Sequence, residues 1–181
     1  LFRSSAASDV YKRQAKLKEG ETILVLGAAG GVGVTAIEIA KAMGAKVIAA
    51  ASSNEKLEFA KGIGADELIN YSETPLKEKV KEITEGKGAD VVYDPVGGEL
   101  SDAALRATAW HGRYLVIGFA SGDIPKFAAN ILLLKEASAI GVWWGTWAAK
   151  NPHKHIQNIK ELGGMIASGD ITPRVTEEFL S

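Results

Sequence analysis

The residues best suited to chemistry are six small ones in a row, Ala28-Ala29-Gly30-Gly31-Val32-Gly33. They follow an apolar run, Thr22–Gly27, and open an amphipathic one, Gly31–Met43, whose apolar face carries Val32, Ile37, Ile39 and Ala40. The spacing is that of G-x-G-x-x-G with alanine in the first place. A small residue there permits the tight turn, Gly30 lets backbone approach a pyrophosphate, and Gly33 lets helix pack against strand. The helix N-terminus adds unpaired N–H groups and the positive end of its dipole. Ala29, Gly30, Gly31 and Val32 are the candidate phosphate contacts. The competing reading is a glycine-rich turn with no ligand; the strand–turn–helix context favours the phosphate. The Gly-Lys-Ser/Thr ending of a nucleoside-triphosphate loop is missing, which argues against triphosphate hydrolysis.

A second run, Lys46–Ala51, ends Ala50-Ala51-Ser52-Ser53 and continues Asn54-Glu55-Lys56. In a site that binds NAD, an acid about 20 residues beyond the glycines accepts hydrogen bonds from the adenosine ribose. An acid at that point would repel a 2′-phosphate. Here hydroxyls replace it, and a lysine follows. Ser52 and Ser53 can donate to phosphate oxygens and Lys56 supplies charge. The pattern predicts NADP rather than NAD. The competing reading makes both serines helix caps and Lys56 a solvated charge.

These residues need a scaffold, and the rest of the chain supplies its rhythm. Further strands are expected at Glu67–Asn70, Asp90–Asp94, Arg113–Gly118 and Ser138–Trp144. Helices are expected at Asn54–Lys61, Pro75–Thr84, Glu99–Ala109, Asn130–Lys135 and Pro152–Ser168. Strands alternating with helices imply βαβ crossovers. The expected fold is α/β, a Rossmann-type, doubly wound, parallel six-stranded sheet with helices on both faces. Residues 1–14, LFRSSAASDVYKRQ, are polar and basic without periodicity. They are set apart as a disordered or non-native leader, and the domain is taken as residues 15–181.

Composition narrows the function classes. The 181 residues are 46% hydrophobic and 24% charged, which fits a globular domain. A net charge of −1 leaves no electrostatic footprint for nucleic acid or an anionic membrane surface. With no cysteine, thiolate nucleophiles and zinc–sulfur sites within this chain are excluded. His153 and His155 are two residues apart at a helix start and share no face, so they make a poor metal pair; His111 falls in a turn.

Five stretches, in order, resemble one family: GETILVLGAAGGVGVTAIEIAKAMGAKVIAAASSNEKL, GADELINY, GADVVYDPVGG, GRYLVIGFASG and NILLLKEASAIGVWWG. They are similar to the cofactor domain of the zinc-independent quinone oxidoreductases of the medium-chain dehydrogenase/reductase superfamily. The resemblance runs from Ala15 to Leu180. It implies adenosine-side contacts at Ser52, Lys56 and Tyr71, the last otherwise a plain boundary aromatic. It implies pyrophosphate contacts at Gly30, Gly31 and Val32. Nicotinamide-side contacts would be Val96, Ile117, Gly118, Phe119 and Ala120, with Trp143, Trp144 and Gly145 after the sixth strand. Asp94, in DPVGG, is read as a turn former and not as a catalytic carboxylate.

The resemblance further implies a GroES-like catalytic domain outside this chain, with a return to it beginning at ITPRVTEEFLS. The whole enzyme would pass hydride from NADPH to a small molecule, a quinone or an α,β-unsaturated carbonyl; the lack of cysteine suits a cytoplasmic protein. It would act as a homodimer paired through the sixth strand, with no nucleic-acid or membrane partner. No catalytic residue is assigned within this chain. Two other readings stand beside it: the cofactor domain of a zinc-dependent alcohol dehydrogenase, and a non-catalytic NADP-binding module.

Overall fold

Short apolar segments separated by amphipathic ones fold here as the alternation predicts. A computed structural model describes residues 7–172. The strands are β1 (Thr22–Leu26), β2 (Lys46–Ala51), β3 (Glu67–Asn70), β4 (Ala89–Asp94), β5 (Thr108–Val116) and β6 (Ser138–Gly141). Between and after them come α1 (Gly31–Ala42), α2 (Asn54–Ile63), α3 (Leu76–Ile83), α4 (Leu100–Ala107), α5 (Ala129–Lys135), α6 (Trp144–Lys150) and α7 (Pro152–Ala167). All six strands run parallel in the order β3-β2-β1-β4-β5-β6.

The period of two in each strand divides the core between the two faces of the sheet. Ile23, Val25, Val47, Ala49, Val91 and Tyr93 pack with Ala36, Ile37, Ile39 and Ala40 of α1 and Leu162 of α7. Leu24, Leu26, Ile48, Ala50 and Val92 pack on the other face with Leu76 and Val80 of α3 and Leu105 of α4. A sheet covered on both sides needs strands with continuous apolar centres, and β1, β2 and β4 have them at Ile23–Leu26, Val47–Ala51 and Val91–Tyr93. Each large side chain wholly removed from water contributes about 1.5–3 kcal/mol.

Local chemistry sets the ends of the helices beside the site. Ser53 caps α2, its Oγ accepting from the Lys56 backbone N–H at 3.5 Å. Gly64, at φ +122°, ends α2, a backbone angle that L side chains rarely adopt.

Two expectations are corrected. The sixth strand stops at Gly141 and not at Trp144, and Trp144 instead opens a helix that the sequence reading lacks. The ring of Trp144 meets His155 of α7 edge-on at 5.3 Å, so its packing lies with α7. In the fifth unit, α4 ends at Ala107 and β5 begins at Thr108, five residues earlier than expected. Its register against β4 shifts at Ala89–Val91, and His111 takes φ +57° there, an irregularity that hid the strand's first half from a period-two pattern. Within the segment set apart as a leader, residues 7–14 pack on the core, with Ala7, Val10 and Tyr11 buried. Tyr11 Oη donates to the Ala36 carbonyl oxygen at 3.0 Å, and the Tyr11 ring lies edge-on to Tyr93 at 5.6 Å. A helical turn brings these few apolar side chains to one side although the segment is polar overall. Residues 1–6 and 173–181, the latter holding most of the expected return segment, lie outside the described residues.

Candidate functional site

The strand order reverses between β1 and β4, so the crossovers that leave them part to opposite faces. A crevice must open at their carboxyl ends. A cleft of about 620 Å³ lies there.

Its floor is the glycine corner. Gly27 takes φ +59°, and the Gly30 N–H closes the turn onto the Gly27 carbonyl oxygen at 2.9 Å. Gly30 is the extended N-cap of α1, and the first helical hydrogen bond runs from Val34 N–H to Gly30 O at 2.9 Å. The N–H groups of Gly31, Val32 and Gly33 therefore precede the helical ladder, at the positive end of the dipole. A Cβ on Gly33 would lie 2.4 Å from the Gly27 carbonyl oxygen and 2.9 Å from Ala28 Cα. Only glycine allows α1 to start that close to β1.

One end of the cleft is formed where β2 and β3 finish. Ser52, Lys56 and Tyr71 line it. Lys56 Nζ donates to Ser52 Oγ at 3.1 Å, and no carboxylate among the described residues pairs with this ammonium. The neighbouring loop is tied down: Tyr71 N–H donates to Ala51 O at 3.1 Å, and Ser72 Oγ donates to Ser52 O at 3.1 Å. Glu55 is exposed and is not part of the lining. Hydroxyl, ammonium and aromatic ring converge with no acid between them, an arrangement suited to an anionic group on a sugar.

The opposite end is walled by two loops. Pro95 and Val96 follow β4; Ile117, Gly118, Phe119 and Ala120 follow β5. Asp94, only 2% exposed, sits beneath both. Its Oδ1 accepts from the Val96 and Gly97 N–H groups at 2.8 and 2.9 Å. Its Oδ2 accepts from Ser101 Oγ at 2.7 Å and from Tyr114 Oη at 2.5 Å. Burial raises the Tyr114 phenol above its ordinary range, and the Asp94 carboxylate raises it further, so the hydroxyl keeps its proton and donates. Asp94 is thus a turn former turned away from the cleft, as its place in DPVGG suggests.

The structure brings Ala29, Gly30, Gly31, Val32, Ser52, Lys56, Tyr71, Val96, Ile117, Gly118, Phe119 and Ala120 to this one cleft. It does not bring Ser53, which caps α2, nor Trp143, Trp144 and Gly145, which belong to the turn into α6. Gly27, Gly33, Ala51 and Pro95 join the lining. Gly33 belongs to the glycine motif, and Pro95 adjoins Val96, so spacing alone was a usable signal for both. Among the described residues, no three His, Asp or Glu side chains are gathered closely enough to hold a metal ion.

A dinucleotide fits what is here: a cradle kept open by Gly27, Gly30, Gly31 and Gly33, a helix N-terminus behind it, cationic and hydroxyl donors at one end, and apolar walls at the other. Known proteins share the arrangement. The family model described as zinc-binding dehydrogenase matches residues 31–161. A quinone oxidoreductase-like protein 2 homolog of Nematostella vectensis is 39% identical over 179 residues, covering 93% of this chain and 49% of that protein. The quinone oxidoreductase of Pseudomonas aeruginosa is 38% identical, covering 99% of this chain and 55% of its own length. The Escherichia coli quinone oxidoreductase, solved in complex with NADPH, superposes with a TM-score of 0.89 at 31% identity, over 97% of this chain and 54% of that one. The chain spans about half the length of the curated relatives it matches. With the glycine corner, the strand order and the matched span in agreement, the chain belongs to the zinc-binding dehydrogenase family.

Proposed function

We propose that this chain is the NADPH-binding half of a cytoplasmic oxidoreductase that reduces a quinone or an α,β-unsaturated carbonyl. One observation carries the reading. The glycine cradle at the start of α1 and the acid-free Ser52–Lys56 pair at the end of β2 line the same cleft. The relatives named above support the reaction class, and the Escherichia coli relative supports the cofactor.

When bound, the dinucleotide would supply hydride from C4 of its nicotinamide. The work of this chain is placement. The N–H groups of Gly31 and Val32 would hold the pyrophosphate, with Gly30 leaving room for it. Ser52 and Lys56 would hold the 2′-phosphate, with the Tyr71 ring beside it. Val96 and the Ile117–Ala120 loop would wall the reactive ring and keep water from its face. Among the described residues, no titratable side chain lines that end. That supports a proton delivered by solvent or by another part of the enzyme to complete the reduction. Among the described residues β6 is an outer strand of the sheet, which supports a homodimer in which two sheets join.

Titrating the chain with NADPH and NADH, beside Lys56→Ala, tests the reading. The chain is expected to favour NADPH by about tenfold or more, and the variant to lose that preference. Equal affinity for the two cofactors in both proteins would overturn the assignment.

A further inference from the structure

The two loops that wall the reactive end of the cleft do not rest on separate supports. Beyond its carboxylate contacts to Val96, Gly97, Ser101 and Tyr114, Asp94 uses its own carbonyl oxygen to accept from Ile117 N–H at 2.9 Å and Gly118 N–H at 3.3 Å. From there the loops run side by side. Ala120 N–H donates to Pro95 O at 3.0 Å, Ser121 N–H to Val96 O at 2.9 Å, and Gly98 N–H to Asp123 O at 3.0 Å. Gly97, at φ +72°, makes that approach possible, since a Cβ there would lie 2.8 Å from Asp123 O and 3.1 Å from the Phe119 ring. Asp94 thus stands behind both walls, its carboxylate on the Val96–Gly97 side and on Tyr114 of β5, its carbonyl on Ile117 and Gly118, without itself being part of the lining.

We infer that Asp94 is a positioning residue for the reactive half of the dinucleotide: it sets the separation of Val96 from Ile117–Ala120, and so how firmly the nicotinamide ring is held. The inference rests on the NADPH reading above. A hydrogen-bonded charge buried among four donors is a stiff joint. Walls fixed through it are organised before the ligand arrives, so the ligand meets less of the ordering cost. The glycine corner and the Ser52–Lys56 end hang from β1, β2, α1 and α2, and among the described residues they share no hydrogen bond with Asp94. The two halves of the cleft should therefore be separable by substitution.

The experiment uses two probes on the full chain: NADPH, and 2′,5′-ADP, which lacks the nicotinamide half. The variants are Asp94→Asn and Gly97→Ala. Asparagine keeps the shape and one carbonyl oxygen for the Val96 and Gly97 N–H groups while removing the charge. Gly97→Ala disturbs the Phe119 wall without altering the carboxylate. Both variants are expected to weaken NADPH by about tenfold, to reduce the change in nicotinamide fluorescence on binding, and to leave 2′,5′-ADP affinity within about twofold. Thermal melting is read alongside to establish that each variant is folded. Folded variants that hold NADPH as the parent does, or that weaken both probes alike, would overturn the positioning role. Failure of the unsubstituted chain to bind either probe would instead overturn the NADPH reading, and the inference with it.

Discussion

The carbonyl oxygen of Gly27 stands where a Cβ on Gly33 would have to be, 2.4 Å from its ideal position. The contact joins the last turn of a strand to the first turn of a helix, and everything on the floor of the cleft follows from it. Backbone atoms are on both sides, so neither partner has a flexible end that can yield. Gly33→Ala is expected to destabilise the fold by about 1–3 kcal/mol. Urea unfolding checks this, and NADPH titration of the same variant should show weaker binding, because the α1 N-terminus must back away from the cradle.

Charge at the end of β2 provides a second test, of the same sign as Lys56→Ala. Ser52→Asp places a carboxylate beside Lys56 and the proposed 2′-phosphate. NADPH affinity is expected to fall by about tenfold or more, while NADH is held as well or better, since the ribose hydroxyls gain an acceptor. Competition titrations with the two cofactors read the outcome directly. Unchanged selectivity would mean that the phosphate sits elsewhere.

Stability in alkali is set by three buried phenols. Tyr11, Tyr93 and Tyr114 are all raised above the ordinary 10.0, first of all by burial. A group raised in the folded state contributes stability that is whole below its unfolded value and is lost as pH climbs towards the folded one. Above pH 10 the unfolded chain releases protons that the native chain keeps, so each of these tyrosines should cost about 1.4 kcal/mol per pH unit. Urea midpoints measured from about pH 9 to about pH 11 are expected to fall steeply. Tyr93→Phe should make the slope shallower by one tyrosine's share.

An outer strand with exposed N–H and C=O groups invites pairing. In β6, Ser138, Ala139 and Gly141 are exposed and Ile140 is half-buried. Sedimentation velocity at micromolar concentrations is expected to show a dimer, and Ala139→Lys to return it to a monomer with little change in melting temperature. A monomer in the unsubstituted chain would leave the sixth-strand pairing without support.

Much of this molecule is written locally. The alternation of Thr22–Leu26 with Gly31–Ala42, the glycines at fixed offsets and the serine-ended second strand are each readable within a few residues, because turn geometry, helix starts and strand period are short-range properties. That is enough to determine a doubly wound sheet and to place a phosphate cradle at its first turn. What the sequence alone did not decide depends on which segments meet. Tyr11 is one aromatic in a polar segment until Ala36 and Tyr93, far away in the chain, receive it. Trp143 and Trp144 read as cleft residues so long as the sixth strand is thought to reach them; packing against His155 draws Trp144 into a helix. Ser52 and Lys56 look like a phosphate site or like helix dressing, and only the return of the chain through Tyr71 makes them one wall of a cleft. Asp94 shows the division most plainly. Its sequence marks a turn, but its partner Tyr114 is 20 residues on and its carbonyl carries the loop after β5. A hydrogen bond between distant residues leaves no period in a sequence, so the coupling of the two walls was decided by tertiary structure alone.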